Sequence, residues 1–134
     1  MEPNSTLVIS AEDTDAARLL VRALVENGHT VGVLGPVAFP PEKFNGATPI
    51  DARRIGEGHL RSWFEGRLTV SIVDLGALSP ESIELLHRAH ADQIEHYVFC
   101  SSTSVYASGL SAPVAEDAPT AQSDTPLNAV ERYL

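Results

Sequence analysis

Apolar positions along the chain fall into short blocks whose period changes from one block to the next. Residues 6–10 (TLVIS) form a β-branched run with the length of a strand. Over 14–27 the period turns helical: Ala17, Leu20, Val21, Leu24 and Val25 share a stripe, with Arg18, Arg22 and Glu26 opposite it. Asn27-Gly28 supplies a C-cap. Residues 29–34 (HTVGVL) read as a second strand, and 35–48, carrying Pro36, Pro40 and Pro41, as an irregular loop. A short third strand is expected at 48–51, a short helix at 59–64 with Leu60, Trp63 and Phe64 inward, and a fourth strand at 68–75. Ser79-Pro80-Glu81 opens another helix, with Ser79 as N-cap and Pro80 as its first residue. Ile83, Leu85, Leu86 and Ala89 are its expected buried positions. A fifth strand is expected at 96–100 (HYVFC), a turn-rich loop at 107–126 and the start of a last helix at 127–134.

Strands that alternate with helices, and that are continuous apolar runs, indicate a parallel sheet covered on both faces. Right-handed crossovers then make the fold class α/β: a Rossmann-like doubly wound parallel sheet of about five strands, in a single domain over residues 1–134.

Charge narrows the partners. Eighteen acidic residues against nine basic ones give a net charge of −9, with no Lys/Arg cluster in the sequence. Such a chain is repelled by phosphate backbones, so neither nucleic acid nor an anionic membrane surface is an expected partner. No apolar stretch approaches the ~20 residues of a membrane span, and the expected location is the cytoplasm. Cys100 is the only cysteine, which excludes an internal disulfide and a multi-cysteine zinc site. Its place at the end of a strand reads as a packed small hydrophobe. His87 and His90 have a spacing that can hold a metal, but no third ligand lies nearby and helix histidines usually face water, so no metal is expected.

Four phrases together resemble the extended and atypical short-chain dehydrogenase/reductases, the NAD-dependent epimerase/dehydratase family. They are ARLLVRALVENGHTV at 17–31, VDLGA at 73–77, HYVFCSSTSVY at 96–106 and the Pro-Val-x-Glu-Asp-x-Pro stretch at 113–119. The resemblance covers nearly the whole chain, and the phrase at 96–106 is its most specific part. It implies the dinucleotide-binding half of that fold, shortened relative to the family, whose sixth and seventh strands and substrate-binding part would lie past Leu134.

The departures from the family bear on function. The family's first turn is glycine-rich, so that main-chain amides and a helix N-terminus reach the cofactor's pyrophosphate. Here it reads Ser10-Ala11-Glu12-Asp13-Thr14-Asp15-Ala16-Ala17, with no glycine. Glu12, Asp13 and Asp15 bring negative charge to an anion site. One such pair of charges, ~5 Å apart at an effective dielectric near 20, repels by about 3 kcal/mol, roughly a hundredfold in affinity. The same carboxylates suit a helix start without any ligand. The second strand ends in Val33-Leu34-Gly35-Pro36, without the acid that grips a ribose, and Asp51 is the one remnant of the family's adenine-flanking aspartate. The family's catalytic set is a Ser or Thr after strand five with Tyr-x-x-x-Lys on the next helix. Ser102 matches the first. In PLNAVERYL, Val130 stands for the tyrosine and Leu134 for the lysine, and Lys43 is the only lysine of the chain.

The sequence thus points to a degenerate short-chain dehydrogenase/epimerase-like protein with no bound cofactor and no NAD-dependent redox activity. As a cyclase or isomerase in small-molecule biosynthesis, it would use acid/base groups at the strand ends: Asp74, Ser102 and Tyr106, near Ser101 and Thr103. A second reading is a non-catalytic binding or dimerisation module. A third is an NAD(P)-dependent epimerase/dehydratase subunit completed by a partner. A small-molecule substrate and a homodimer are the expected partners, with a heteromer containing a fuller homologue as the alternative.

Overall fold

In a computed structural model of the chain, the described residues are 4–11, 14–35, 41–51, 59–76 and 79–100. They form β1 (Ser5–Ile9), α1 (Asp15–Glu26), β2 (Thr30–Gly35), a 3-10 turn (Pro41–Lys43), β3 (Ala47–Asp51), α2 (His59–Phe64), β4 (Val70–Asp74), α3 (Pro80–His90) and β5 (Ile94–Phe99). All pairings are parallel, in the order β3-β2-β1-β4-β5. That is the order of a doubly wound sheet, with its reversal of direction between β1 and β4.

The sheet feeds two cores because successive side chains of a strand point to opposite faces. Leu7, Ile9, Leu34, Ile50, Val70 and Ile72 meet Leu60, Trp63 and Phe64 of α2 and Ile83 and Leu86 of α3. On the other face Val8, Val31 and Val33 meet Ala17 and Val21 of α1 and Phe44. Gly32 is required by this packing, since a Cβ there would lie 2.7 Å from Cε2 of Trp63. At the amino-terminal end of the strands, Gln93 ties two turns together. Its Nε2 donates to the carbonyls of Phe64 (3.0 Å) and Arg67 (2.8 Å). That fixes its Oε1 as acceptor, so His90, 3.3 Å away, donates from Nδ1. The His90 ring stacks on Phe64 with centroids 3.9 Å apart.

Helix ends follow local chemistry. Thr14 caps α1, its Oγ1 accepting from the Ala17 amide at 3.1 Å. The C-terminal end closes through Asn27 and Gly28, the latter at φ 82°. Ser79 caps α3, accepting from the Ser82 amide at 3.2 Å, with Pro80 next.

Several sequence expectations need correction. In α3, Leu85 is 48% exposed and Ala89 is exposed, while His90 is buried at 8% exposure. Ile83, Leu86 and His90 recur at i, i+3 and i+7, whereas Leu85 and Ala89 fall on the far flank. The histidines of this helix therefore do not both face water. Leu68 is 77% exposed and precedes β4. β3 begins at Ala47, one residue earlier than expected, and ends on a buried Asp51. Cys100 is exposed, not packed, because β5 is the outer strand among the described residues. Val98 beside it is 58% exposed, so covering of both faces does not extend over β5 among these residues. The turn-rich loop at 107–126 and the last helix at 127–134 lie outside the described residues.

Candidate functional site

Ligands of doubly wound sheets sit beyond the carboxyl ends of the strands, at the point where strand order reverses. Here that point lies between β1 and β4. The ladder is prolonged past both strands: Leu75 donates its amide to Ile9 (2.8 Å), Ser10 to Leu34 (2.9 Å) and Cys100 to Asp74 (2.8 Å). Ser10 and Asp74 are buried beneath this rim.

Asp74 has 0% exposure. Its Oδ1 accepts from the amide of Gly76 at 2.8 Å and its Oδ2 from the Tyr97 hydroxyl at 2.5 Å. The first bond closes a tight turn in which Gly76 takes φ 88°, a conformation natural to glycine. The second links β4 to the edge strand. Burial, then the hydrogen bond to Asp74 and its charge, raise the phenol of Tyr97 well above the ordinary tyrosine value. The His87 ring of α3 stacks over Tyr97 with centroids 5.2 Å apart, and burial lowers its pKa below the usual histidine range. The arrangement is therefore a neutral phenol donating to a buried acceptor, under an imidazole disposed to be neutral. It orients groups and holds the β4–α3 turn.

Of the three acid/base candidates, Asp74 is thus placed at the strand ends, while Ser102 and Tyr106 lie outside the described residues, as do Ser101 and Thr103. Tyr97 was missed by sequence reasoning, being 23 residues from its partner. The Asp74-Leu75-Gly76 spacing was an available turn signal. No group of three or more metal-binding side chains occurs among the described residues, and no described helix is long and apolar enough to cross a membrane.

No protein-family model matches the chain, and no curated protein matches it in sequence. Solved structures do. A short-chain dehydrogenase/reductase superfamily protein from Agrobacterium tumefaciens with bound NAD superposes with a TM-score of 0.68 at 23% identity, over 97% of this chain and 42% of that one. The fold is that of the short-chain dehydrogenase/reductases. TunA, an NAD-dependent NDP-hexosamine 5,6-dehydratase involved in tunicamycin biosynthesis, matches with a TM-score of 0.58 at 22% identity, over 97% of this chain and 47% of its own. A UDP-galactose 4-epimerase matches at 0.57 and 20% identity, over 96% and 47%. The chain spans less than half the length of each of these proteins.

One of these neighbours has NAD bound, and the start of α1 here departs from the glycine-rich turn that cradles a pyrophosphate. The Ala17 amide, in the first turn where a pyrophosphate would seek donors, is taken by Thr14. Asp15 puts a carboxylate in that first turn. No glycine between Ser10 and Ala17 lets a phosphate approach the backbone. At the end of β2, Leu34 and Gly35 are buried and offer no side chain to a ribose hydroxyl. Glu12 and Asp13 lie outside the described residues.

Proposed function

We propose that this chain is a cofactor-independent relative of the short-chain dehydrogenase/epimerase enzymes, acting on a small polar molecule at the strand ends without hydride transfer. One observation carries the reading: the first turn of α1 is closed by its own side chain, Thr14 on the Ala17 amide, with Asp15 beside it. A helix start so capped has one amide fewer and one negative charge more than an open one, and both weigh against holding a diphosphate. The chemistry left to such a rim is proton transfer, of the kind a cyclase or isomerase performs. Ser102 and Tyr106 are the residues proposed to touch substrate. Asp74 is proposed as a positioning residue, acting through Gly76 and Tyr97.

The test is a titration of the full chain with NADH and NADPH, following cofactor fluorescence. No saturable binding is expected up to about 1 mM, the affinity of a contact worth only about 4 kcal/mol. Saturation well below that concentration would overturn the reading.

A second reading, a non-catalytic module that pairs with another chain, is favoured by the engagement of both Asp74 oxygens within the protein. Comparison of Ser102→Ala and Asp74→Asn in an assay of the pathway separates the two. Loss of turnover in a folded Ser102→Ala variant supports the enzyme, and unchanged activity in both variants supports the module.

A further inference from the structure

Among the described residues, the α1 face of the sheet is covered over only part of its width. One cross-strand row runs through Val33, Val8, Val73 and Val98 of β2, β1, β4 and β5. Val33 and Val8 have 0% exposure in the cluster with α1, Val73 is half-buried and Val98 is 58% exposed. Ser71 and His96, paired one step along the same ladder, open on this face as well. We propose that a second copy of this chain covers it, α1 of each copy lying on the bare β4–β5 face of the other about a twofold axis. The surface is the flat of the sheet and not the strand ends, so the inference does not depend on what those ends bind.

The direction of the chain leaves this half bare. Connections that move towards β3, through α1 and Phe44, pack on this face, and those that move towards β5, through α2 and α3, pack on the other. A constant hand of crossover requires that division, and a further crossover outward from β5 would fall on the α3 face by the same rule.

Ridge and trough match. A helix about 10 Å across stands beside two bare strands that together span about 10 Å. The flank of α1 that faces the 3-10 turn carries Arg22 and Glu26. At 3.6 residues per turn, the half-buried Leu20 and Leu24 stand on the opposite flank, towards β4. On the outer side Leu19 is 64% exposed, with the exposed Ala16 and Ala23 beside it. In the twofold arrangement the Leu20–Leu24 flanks meet, and Leu19 of each copy lands on Val73 and Val98 of the other. Each copy carries a net charge of −9, so association needs a surface without carboxylates. None of the residues brought into contact is acidic, and His96 is their one ionisable side chain. The footprint, about 18 Å long and about 20 Å wide, belongs to interfaces of ~600–800 Å² per partner.

The test is sedimentation of the full chain over a concentration series. A dimer with a Kd of about 10–100 µM is expected for a contact of this size. Leu19→Asp and Val98→Asp, both at exposed positions, each weaken it at least about tenfold, while Leu85→Asp on α3 leaves it unchanged. Leu19→Lys and Val98→Asp are each weak alone and associate more tightly when mixed, because one of the two equivalent contacts then holds an ion pair and the other is native. Circular dichroism confirms that the variants fold. A monomer throughout the series, which is also the result if residues 101–134 of the same chain cover this face, overturns the proposal. A dimer abolished by Leu85→Asp, a dimer indifferent to either Leu19→Asp or Val98→Asp, or a mixed pair no tighter than its components does the same.

Discussion

At Gly32 the main chain of β2 passes directly beneath the indole of Trp63. A methyl group there would sit 2.7 Å from Cε2 and 2.9 Å from Nε1. The ring cannot swing away cheaply, because Phe64 meets it edge-on at 5.4 Å and the Arg67 guanidinium lies 4.4 Å from its centroid. Gly32→Ala should therefore destabilise the fold by about 1–3 kcal/mol, the usual cost of overpacking, measured by urea denaturation. Tyr97→Phe tests a different term. It leaves Asp74 Oδ2 buried without the donor it now has, and should cost about 1–3 kcal/mol in the same measurement. A loss near zero would show that water replaces the phenol. The sequence placed Asp74 at a strand end, because the run before it is a strand and the Asp-x-Gly after it a turn. Tyr97 was illegible as its partner: the contact depends on cross-strand register, which shifts between Val70 and Ser71.

The helices are the elements most clearly written in the sequence, because their ends are specified by single residues. Thr14 and Ser79 cap α1 and α3 through their side-chain oxygens. Thr14→Ala and Ser79→Ala should each cost about 1 kcal/mol, read as a shift in urea midpoint with the slope of the transition unchanged. If dinucleotide bound at α1, Thr14→Ala would also alter its affinity; NADH titration of the variant should show no binding, as with the parent. The 3-10 turn over Pro41–Lys43 could not be read in advance, since it lies in a proline-rich stretch with no periodicity to announce it. Leu85 misled for a simpler reason. Hydrophobicity marks a residue as able to be buried, and only its angle around the helix decides whether it is. At β5 the misreading was one of position: an apolar run looks the same in a central strand and an edge strand, and Cys100 and Val98 are exposed because nothing among the described residues lies beyond them.

For the whole molecule, pH should act through α3. Burial lowers the pKa of both His87 and His90; for His90 the bond to Gln93 pulls the other way, and the charge of Arg61 adds to the lowering. As pH falls below the ordinary histidine value of 6.5, the unfolded chain takes up protons that the folded chain refuses. The stability these groups contribute is thus whole above 6.5 and lost as pH falls from there through their lowered folded values. Urea midpoints measured from pH 7.5 down to about 5.5 should decline, and His90→Phe should flatten the decline. A midpoint indifferent to pH over that range would count against the burial seen in α3.

The central pairing of the sheet has a temporal consequence. β1 is made first, yet its neighbour β4 arrives only after α1, β2, β3 and α2 have been made. Loop closure over that span is slow, as it is for parallel sheets in general. During synthesis β1 can dock only on β2, leaving a nascent half-sheet whose inner border stays sticky until the fourth strand emerges from the ribosome. Helper proteins that shield nascent apolar borders should therefore matter more for the yield of this chain than its modest size suggests.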